Sequence, residues 1–519
     1  MKPQTIASIK RHRTAKMAKV ATRALYLQRR GRSAEMAAFI ANEMVALGGV
    51  YVKFLQGVLL QSEFFKQWDN PNRYNIFENL DTEMIDLPTL LQKELPKSKL
   101  AQIAQVQPQP FAAGSFGQVY FGALRDGSPI IIKALRPLVR ETLQYDLKLI
   151  NVFAKKFFIK LFESNVDINA SNALDEFKHS TLNETDYVSE ANFAAEYHEA
   201  YKSHPTLFIP KTYLELCTPN IIVQEYVGGI SAAQLIKLKE QGIEPLNYVW
   251  EHLGSNLDEQ LTSLGIEFIK GIFTLPRIQG DPHPGNIKLL ENNRVGIVDF
   301  GIIAPAPQDS PAFFALMEEY AKLYEGNLDI EELFGKFLRF FASDLYRAFR
   351  RLHDMSSHSS EDLTKTIGKI AKKAFAGHMN HTNADKLMHD DSILSIINQV
   401  VNRQNRFGIV LTVHSSEILR AAQTYITLVE TLDRGPKVLP VVFRRGVDEV
   451  KTLKPELSVE KPVHMSVTKA VDTVTRWLGR VAERDPQLFQ KFMKQIRGGS
   501  AEPVEEAVEK VKDKETLNV

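Results

Sequence analysis

The sequence predicts an α+β fold, in which short strands are set among long helices. Two largely apolar runs, 117–124 and 129–135, flank the Asp-Gly turn at 125–128, and this pattern predicts a pair of strands joined by a tight turn. From about residue 230 to 450 the apolar residues follow helical spacing, interrupted by a region of loops and short strands at 278–303.

The length and composition are those of a globular protein with a large core. A chain of 519 residues has room for two or three domains. Hydrophobic residues make up 44% and charged residues 24%, which excludes collagen-like, low-complexity and wholly disordered chains. The single cysteine, Cys217, excludes an internal disulfide and a thiolate zinc site, and it favours a reducing compartment.

The positive charge is concentrated at the N-terminus. The net charge of the whole chain is +2, which argues against a nucleic-acid binder. Residues 1–34 nevertheless contain no acidic residue and ten basic ones: Lys2, Lys10, Arg11, Arg13, Lys16, Lys19, Arg23, Arg29, Arg30 and Arg32. We expect this amphipathic segment to bind an anionic membrane surface, and the alternative is that it packs on an acidic face of the same protein.

The sequence contains no transmembrane segment by the criterion of 18 or more uncharged apolar residues, and no apolar region of a secretory signal. We therefore expect a cytoplasmic protein, with peripheral contact to the inner membrane surface. An arginine-rich, acid-free N-terminus also resembles a transit peptide, so a mitochondrial or plastid matrix stays open.

The first elements are predicted to be helices. Apolar spacing indicates a helix over 5–30, ended by Gly31, and Ser33 is expected to cap the next one. That second helix should end at Gly48-Gly49, and more helix is expected through residue 65. Further helices are predicted at 138–163 and 171–201, and further strands at 210–216 and 220–226.

Small residues precede the first strand, and a lysine lies inside the second. The loop residues are Ala112, Ala113, Gly114, Ser115, Phe116 and Gly117. Such a loop lets backbone amides approach phosphates, although a simple tight turn is an equally good interpretation. Lys133 taken alone favours a solvated edge-strand residue, but with this loop it matches the strand lysine of kinases, which holds nucleotide phosphates.

Two acidic motifs follow in the order that kinases use. Asp281 and Asn286 are five residues apart, the spacing of the kinase catalytic loop, and Asp299 opens an Asp-Phe-Gly motif thirteen residues later. The aspartate of such a loop can accept a proton, and the asparagine and the second aspartate can bind Mg²⁺. His283 lacks a second histidine at metal spacing, so we interpret it as a structural loop residue.

Together these motifs resemble those of the UbiB/AarF family of atypical protein-kinase-like proteins. The likeness covers residues 45–435, and its signatures are the sequences AAGSFGQVY at 112–120, ETDYVSEAN at 184–192, EYVGG at 225–229, DPHPGN at 281–286 and DFG at 299–301. It implies a two-lobed protein-kinase-like fold with a helical N-terminal extension and a helical insertion in the N-lobe.

The resemblance also implies a set of roles around bound ATP and Mg²⁺. Lys133 and Asp281 would be the catalytic residues, and Asn286 and Asp299 would bind the metal. The loop at 112–117 would cover the phosphates, and Glu225, Tyr226 and Val227 would form the hinge that contacts adenine. The partner of Lys133 stays open among Glu176, Glu184 and Glu190.

The motifs of this chain differ from the family pattern at Leu55 and Gly114. The KxGQ motif appears as Lys53, Phe54, Leu55 and Gln56, so a leucine replaces the glycine. Glu184 and Asp186 match the ExD motif. Gly114 stands where the family has alanine, and we expect it to loosen the restraint on nucleotide use.

We expect five regions: a basic amphipathic helix at 1–32, a helical extension at 33–105, an N-lobe at 106–227, a C-lobe at 228–450 and a charged tail at 451–519. The resemblance implies an atypical kinase or ATPase that supports isoprenoid quinone biosynthesis or membrane lipid homeostasis, with lipid or quinone-pathway proteins as partners. The alternatives are a nucleotide-gated scaffold and a peripheral membrane protein that presents a lipid.

Overall fold

The computed structural model describes residues 5–55, 84–114, 116–154, 181–307, 309–341, 345–348, 413–458 and 465–484, together with a few isolated positions. It is a mixture of helices and strands, which confirms the predicted α+β class. The chain divides into two compact units, one formed by 1–229 with 296–302 and the other by 230–295 with 303–519.

The first unit combines helices with one antiparallel sheet. Its helices are α1 (Ile6–Arg29), α2 (Ser33–Leu47), α3 (Val50–Phe54), α4 (Leu87–Glu94), α5 (Lys97–Leu100), α6 (Val139–Phe153) and α7 (Tyr187–Tyr201). Its strands are β1 (Ile103–Val106), β2 (Ala112–Ala113), β3 (Gly117–Leu124), β4 (Pro129–Leu135), β5 (Leu207–Phe208) and β6 (Ile221–Glu225).

The sheet of the first unit runs β1-β3-β4-β6, and β2 pairs with the start of β3. Val119 and Ile222 lie on either side of Lys133 in the register, so β4 is an internal strand. Because side chains alternate along a strand, Ile132 and Ala134 enter the core on one face, while Leu135 joins the helices on the other.

The second unit is mainly helical. Its helices are α8 (Ala232–Glu240), α9 (Pro245–Leu253), α10 (Leu257–Thr274), α11 (Ser310–Ala321), α12 (Ile330–Phe341), α13 (Val413–Thr431), α14 (Gly435–Leu453) and α15 (Val467–Arg484). The remaining strands are β7 (Ile230–Ser231), β8 (Arg277–Gln279), β9 (Ile287–Leu289), β10 (Val295–Ile297) and β11 (Ile303–Pro305).

Most predicted elements are present, with corrections at their ends. The strands at 117–124 and 129–135 have the predicted bounds, and Gly31 and Gly48 adopt positive φ at the helix ends. The predicted strand at 210–216 is wrong, because Leu214–Leu216 forms a 3₁₀ turn. Ser33 does not cap α2 but forms its first turn, and no side chain caps that helix end.

Helix α1 is tied to the first unit by a buried polar cluster. It packs on α2 and α6 through Met17, Val20, Ala24 and Leu27. Arg13 pairs with Asp146 on α6, whose other carboxylate oxygen accepts a hydrogen bond from Tyr51 at 2.9 Å. Burial raises the pKa of Asp146, and Arg13 opposes that rise. This cluster connects α1, α3 and α6.

We predict that Arg13→Gln destabilises the protein by about 1–3 kcal/mol, since it leaves a buried carboxylate without its cation. A folded-state pKa that is raised costs stability as pH rises, so the loss should be smaller at pH 5 than at pH 8. Denaturant unfolding at both pH values measures this. The control is Arg23→Gln in the exposed pair with Glu35, where we expect less than about 1 kcal/mol. Equal losses in the two variants would contradict the role of Asp146.

Candidate active site

Lys133 lies in the first unit between two carboxylates. Its Nζ donates to Glu190 Oε1 at 2.6 Å and to Asp299 Oδ2 at 2.9 Å. The residue is 8% exposed on an internal strand, which excludes the interpretation as a solvated edge residue. Of the three candidate partners of Lys133, the structure shows Glu190, which lies on α7. Glu176 lies outside the described residues.

Lys133 and Asp299 stabilise each other's charged form. Burial disfavours the ammonium of Lys133, but Asp299 and Glu190 outweigh that effect and raise its pKa above the ordinary value. Burial also acts on Asp299, and Lys133 reverses it, so the pKa of that carboxyl is lowered. The pKa of Glu190 is raised by its burial, with Lys133 opposing. The cluster is thus a fixed cation with one solvent-accessible carboxylate, because the Asp299 side chain is 41% exposed.

The packing of the Phe300 ring against α7 holds the neighbouring Asp299 in place. Phe300 is fully buried and packs on Phe193 and Tyr197 of α7, with ring centroids 5.8 and 5.5 Å apart. The amide of Gly301 donates to Asp299 Oδ1 at 3.0 Å. The motif is therefore anchored to the helix that carries Glu190, a contact that the sequence did not reveal because no local pattern links the two segments.

The small-residue loop is a closed turn. Ala112 and Ala113 pair with β3, and the amide of Gly114 donates to the Gly117 carbonyl at 2.9 Å. Arg136 donates to the Gly114 carbonyl at 3.2 Å and Phe116 is buried, whereas Ser115 lies outside the described residues. These backbone contacts agree with the tight-turn interpretation, and the phosphate-binding role of the loop stays a prediction.

Lys53 from the KxGQ-like motif contacts this region. It forms an ion pair with Glu184 and lies over the ring of Phe116, with Nζ 5.8 Å from the centroid. Leu55 is fully buried in the core of the first unit, so the leucine that replaces the family glycine is accommodated by packing. Gln56 lies outside the described residues.

Asp186 has a structural role in this geometry. Its carboxylate accepts the amide of Ser189 at 3.1 Å and caps the N-terminus of α7. The cap positions the helix from which Glu190 reaches Lys133.

Asp281 and Asn286 lie together in the second unit. The Nδ2 of Asn286 donates to the Asp281 carbonyl at 3.1 Å and is 3.4 Å from Asp281 Oδ2. This orientation leaves the amide oxygen as the atom of Asn286 that suits a cation. His283 accepts the amide of Gly285 at 3.2 Å and caps a short 3₁₀ turn, consistent with a structural role.

The predicted hinge begins at Glu225, the last residue of β6. The amide of Glu225 donates to Lys211 and that of Tyr226 to Pro129, at 2.8 and 3.0 Å. Tyr226 also packs edge-on against Phe121. The amide of Val227 takes no part in these bonds, so it is the hinge amide best suited to a ligand.

The donor set fits Mg²⁺ only in partnership with phosphate. Among the described residues, no group of three or more His, Cys, Asp or Glu side chains could hold a metal ion alone. Mg²⁺ in nucleotide sites is bound by one or two protein ligands together with phosphate oxygens and water. Asp299 in the first unit offers an exposed carboxylate, and Asn286 in the second unit offers an amide oxygen, and each is an oxygen ligand of the kind that such sites use.

Comparison with known proteins finds a family and several relatives that resemble part of the chain. Residues 79–326 match the family described as the ABC1 atypical kinase-like domain. The chain is 28% identical over 383 residues, 72% of its length, to the chloroplastic protein ACTIVITY OF BC1 COMPLEX KINASE 1 of Arabidopsis thaliana. It is 23% identical over 253 residues, 46% of its length, to a probable protein kinase UbiB of Azotobacter vinelandii.

These matches leave parts of the relatives uncovered. The chain spans 53% of the Arabidopsis protein and 44% of the Azotobacter protein. Among solved structures, the complex of Rv3197 with erythromycin from Mycobacterium tuberculosis is 20% identical, with a TM-score of 0.37; the match covers 72% of this chain and 86% of that one. Among the described residues, no helix is long and apolar enough to cross a membrane.

We predict opposite outcomes for alanine at the two glycines of the loop. A Cβ at Gly117 would lie 2.6 Å from the Tyr187 hydroxyl and 2.8 Å from the Ala134 carbonyl, so Gly117→Ala should lower the unfolding free energy by about 1–3 kcal/mol. Gly114→Ala should change it by less than about 0.5 kcal/mol, because its nearest neighbour would be 3.9 Å away and its φ is not positive. Denaturant unfolding of both variants checks this, and equal losses would refute the described packing.

Proposed function

Because the chain carries an ABC1 atypical kinase-like domain and its resemblance to the UbiB/AarF family is confirmed, we propose that it is an ATP- and Mg²⁺-dependent atypical kinase or ATPase. The proposal includes a role in isoprenoid quinone biosynthesis or membrane lipid homeostasis, which is what the family likeness implies. One observation carries the catalytic part: Lys133 is buried and ionised between Glu190 and Asp299.

The pair of Lys133 and Glu190 favours an enzyme over a degenerate binding domain. A buried ammonium destabilises a protein unless it is paired. Here the ammonium of Lys133 on β4 is held between Glu190 of α7 and Asp299 of the Asp-Phe-Gly motif. In kinases this ion pair positions a lysine for the nucleotide phosphates, and the adjacent aspartate binds metal. All the side chains required for phosphoryl transfer are present in the sequence.

We assign the remaining roles as follows. Lys133 would hold the phosphates of ATP, and Asp299 and Asn286 would hold Mg²⁺, which neutralises phosphate charge when bound. Asp281 would accept the proton of the attacking hydroxyl or water. The turn at 112–117 would cover the phosphates, and Val227, with Glu225 and Tyr226 beside it, would contact adenine.

The extension offers a restraint on this activity. Lys53 pairs with Glu184 and covers Phe116, so it links the extension to the loop at 112–117 and to the turn before α7. We propose that Gly114 loosens the loop relative to alanine, so that wild type has measurable basal turnover and Gly114→Ala alters it without unfolding the protein.

We predict that Mg²⁺-ATP stabilises the protein by about 2.7 kcal/mol at 100 times its dissociation constant. Asp299→Asn should abolish the Mg²⁺-dependent part of the melting shift, and Asp281→Asn should retain the shift but lose ATP turnover. Thermal melting and steady-state hydrolysis measure the two effects. Asp472→Asn on the exposed face of α15 is the matched control and should behave as wild type. No shift and no turnover above Asp281→Asn would refute the proposed enzyme; a shift without turnover would favour the nucleotide-gated scaffold.

A membrane-surface role is supported by the exposed basic residues of α1 and of the turn that follows it. Lys19, Arg23 and Arg32 form ion pairs with acidic residues of the same chain, which supports the packing alternative for part of the helix. Arg11, Arg29 and Arg30 are exposed, and Lys16 is partly exposed. We propose that these four residues face anionic lipid, with the protein peripheral on a cytoplasmic or plastid-side surface.

We predict that changing Arg11, Lys16, Arg29 and Arg30 together to glutamine releases the protein from anionic vesicles. Four residues worth roughly 1 kcal/mol each should weaken binding by a factor on the order of 1000. Co-sedimentation with phosphatidylserine vesicles measures this. Deleting residues 1–32 is less informative, because it removes core side chains such as Val20 and Leu27. Equal binding by wild type and the variant, or none by either, would refute the membrane role.

A further inference from the structure

The second unit contains an apolar pocket that the proposed phosphotransfer site does not use. Helices α10, α11, α13 and α14 surround it, and its wall includes Ile272, Leu316, Met317, Leu419, Ala422 and Phe443. Its volume is about 60 Å³, measured over the positions open to the centre of a water-sized sphere. A single water needs roughly 10–15 Å³ on that measure, so the pocket exceeds an ordinary packing gap.

The wall presents no polar group among the described lining residues. Two tyrosines line the pocket, but their hydroxyls are satisfied elsewhere: Tyr425 donates to the Leu261 carbonyl at 2.8 Å, and Tyr320 bonds with Tyr324. Water in such a pocket would lack hydrogen-bond partners, so the space favours a ligand without polar atoms.

Two glycines allow close packing of the helices that surround the pocket. A Cβ at Gly265 of α10 would lie 2.6 Å from Cζ of Tyr425 and 2.7 Å from Cγ1 of Val442, so three helices meet tightly there. Gly446 packs on Ile269 in the same manner, with a Cβ position 2.9 Å from its Cδ1. These contacts fix the spacing of α10, α13 and α14 and keep the pocket from collapsing.

The mouth of the pocket is on the surface of the second unit. Phe268, Met317, Leu419 and Ala422 are only partly buried, while the deeper residues Ile272 and Tyr425 are covered. A ligand can therefore enter end-on, with its apolar part inside and a polar end in water. Methionine at the rim adapts readily to ligands of different width.

We propose that this pocket binds a single unbranched hydrocarbon chain, the tail of an amphiphile such as a fatty alcohol or fatty acid. An apolar space whose rim residues are partly exposed favours a hydrocarbon chain over a polar metabolite or a nucleotide. Each additional buried methylene should raise affinity about fourfold, until the pocket is filled.

The test is calorimetric titration of the full chain with the linear alcohols from 1-hexanol to 1-dodecanol. We expect saturable binding whose affinity rises about fourfold per methylene and then levels off. Ala422→Phe, which fills the pocket, should weaken binding at least tenfold and leave the melting temperature equal or higher. Thr427→Phe, at an exposed position of the same helix, is the control and should bind as wild type.

Three outcomes would overturn the proposal. They are the absence of saturable binding at every chain length, an affinity that rises without levelling off, and unchanged binding in a folded Ala422→Phe variant. If Ala422→Phe does not fold, Leu419→Phe at the rim takes its place, with the same tenfold loss expected. Because the pocket lies within the second unit, ATP turnover of each variant is recorded separately, and its loss would not count for or against chain binding.

Discussion

The burial of one lysine governs the organisation of the first unit. Lys133 is charged in a position that is 8% exposed, and a charge there is tolerable only if carboxylates meet it. That requirement draws Glu190 from α7 and Asp299 from a segment 166 residues further along the chain to the same atom. Asp186 caps the helix that carries Glu190, and Phe300 packs on that helix beside Asp299. These two contacts hold the two carboxylates in place.

The N-terminal extension is coupled to the same cluster by polar contacts in series. Arg13 of α1 and Tyr51 of α3 share Asp146, and two residues after Tyr51 the side chain of Lys53 reaches Glu184. Glu184 lies just before the helix that supplies Glu190. A buried polar network of this kind favours one arrangement of the helices, because any shift would leave charged groups without partners. The basic residues of α1 therefore serve two purposes, since some hold the helix to the protein and others stay exposed.

In the second unit, glycines allow neighbouring helices to pack closely. Gly265 and Gly446 let side chains of neighbouring helices, such as Tyr425 and Ile269, lie close to the backbone of α10 and α14, and these side chains are apolar or have a satisfied hydroxyl. Asp281 and Asn286 lie on a separate loop of this unit, held by hydrogen bonds to each other and to Gln279. A rigid helical core and a short hydrogen-bonded loop are thus distinct features of the same unit.

The sequence by itself determined the α+β class, the hairpin at 117–135 and the helix ends at Gly31 and Gly48. It also determined which side chains are candidates for the site. These features depend on local periodicity, turn residues and motif spacing. Only the tertiary structure decided that Glu190 pairs with Lys133, that Asp186 is a helix cap and that residues 214–216 form a 3₁₀ turn. Each of these depends on groups far apart in the chain or on competition between a strand and a turn. The pocket among α10, α11, α13 and α14 was likewise invisible in the sequence, since an apolar helix face has the same pattern whether its neighbour fills the space or leaves it open.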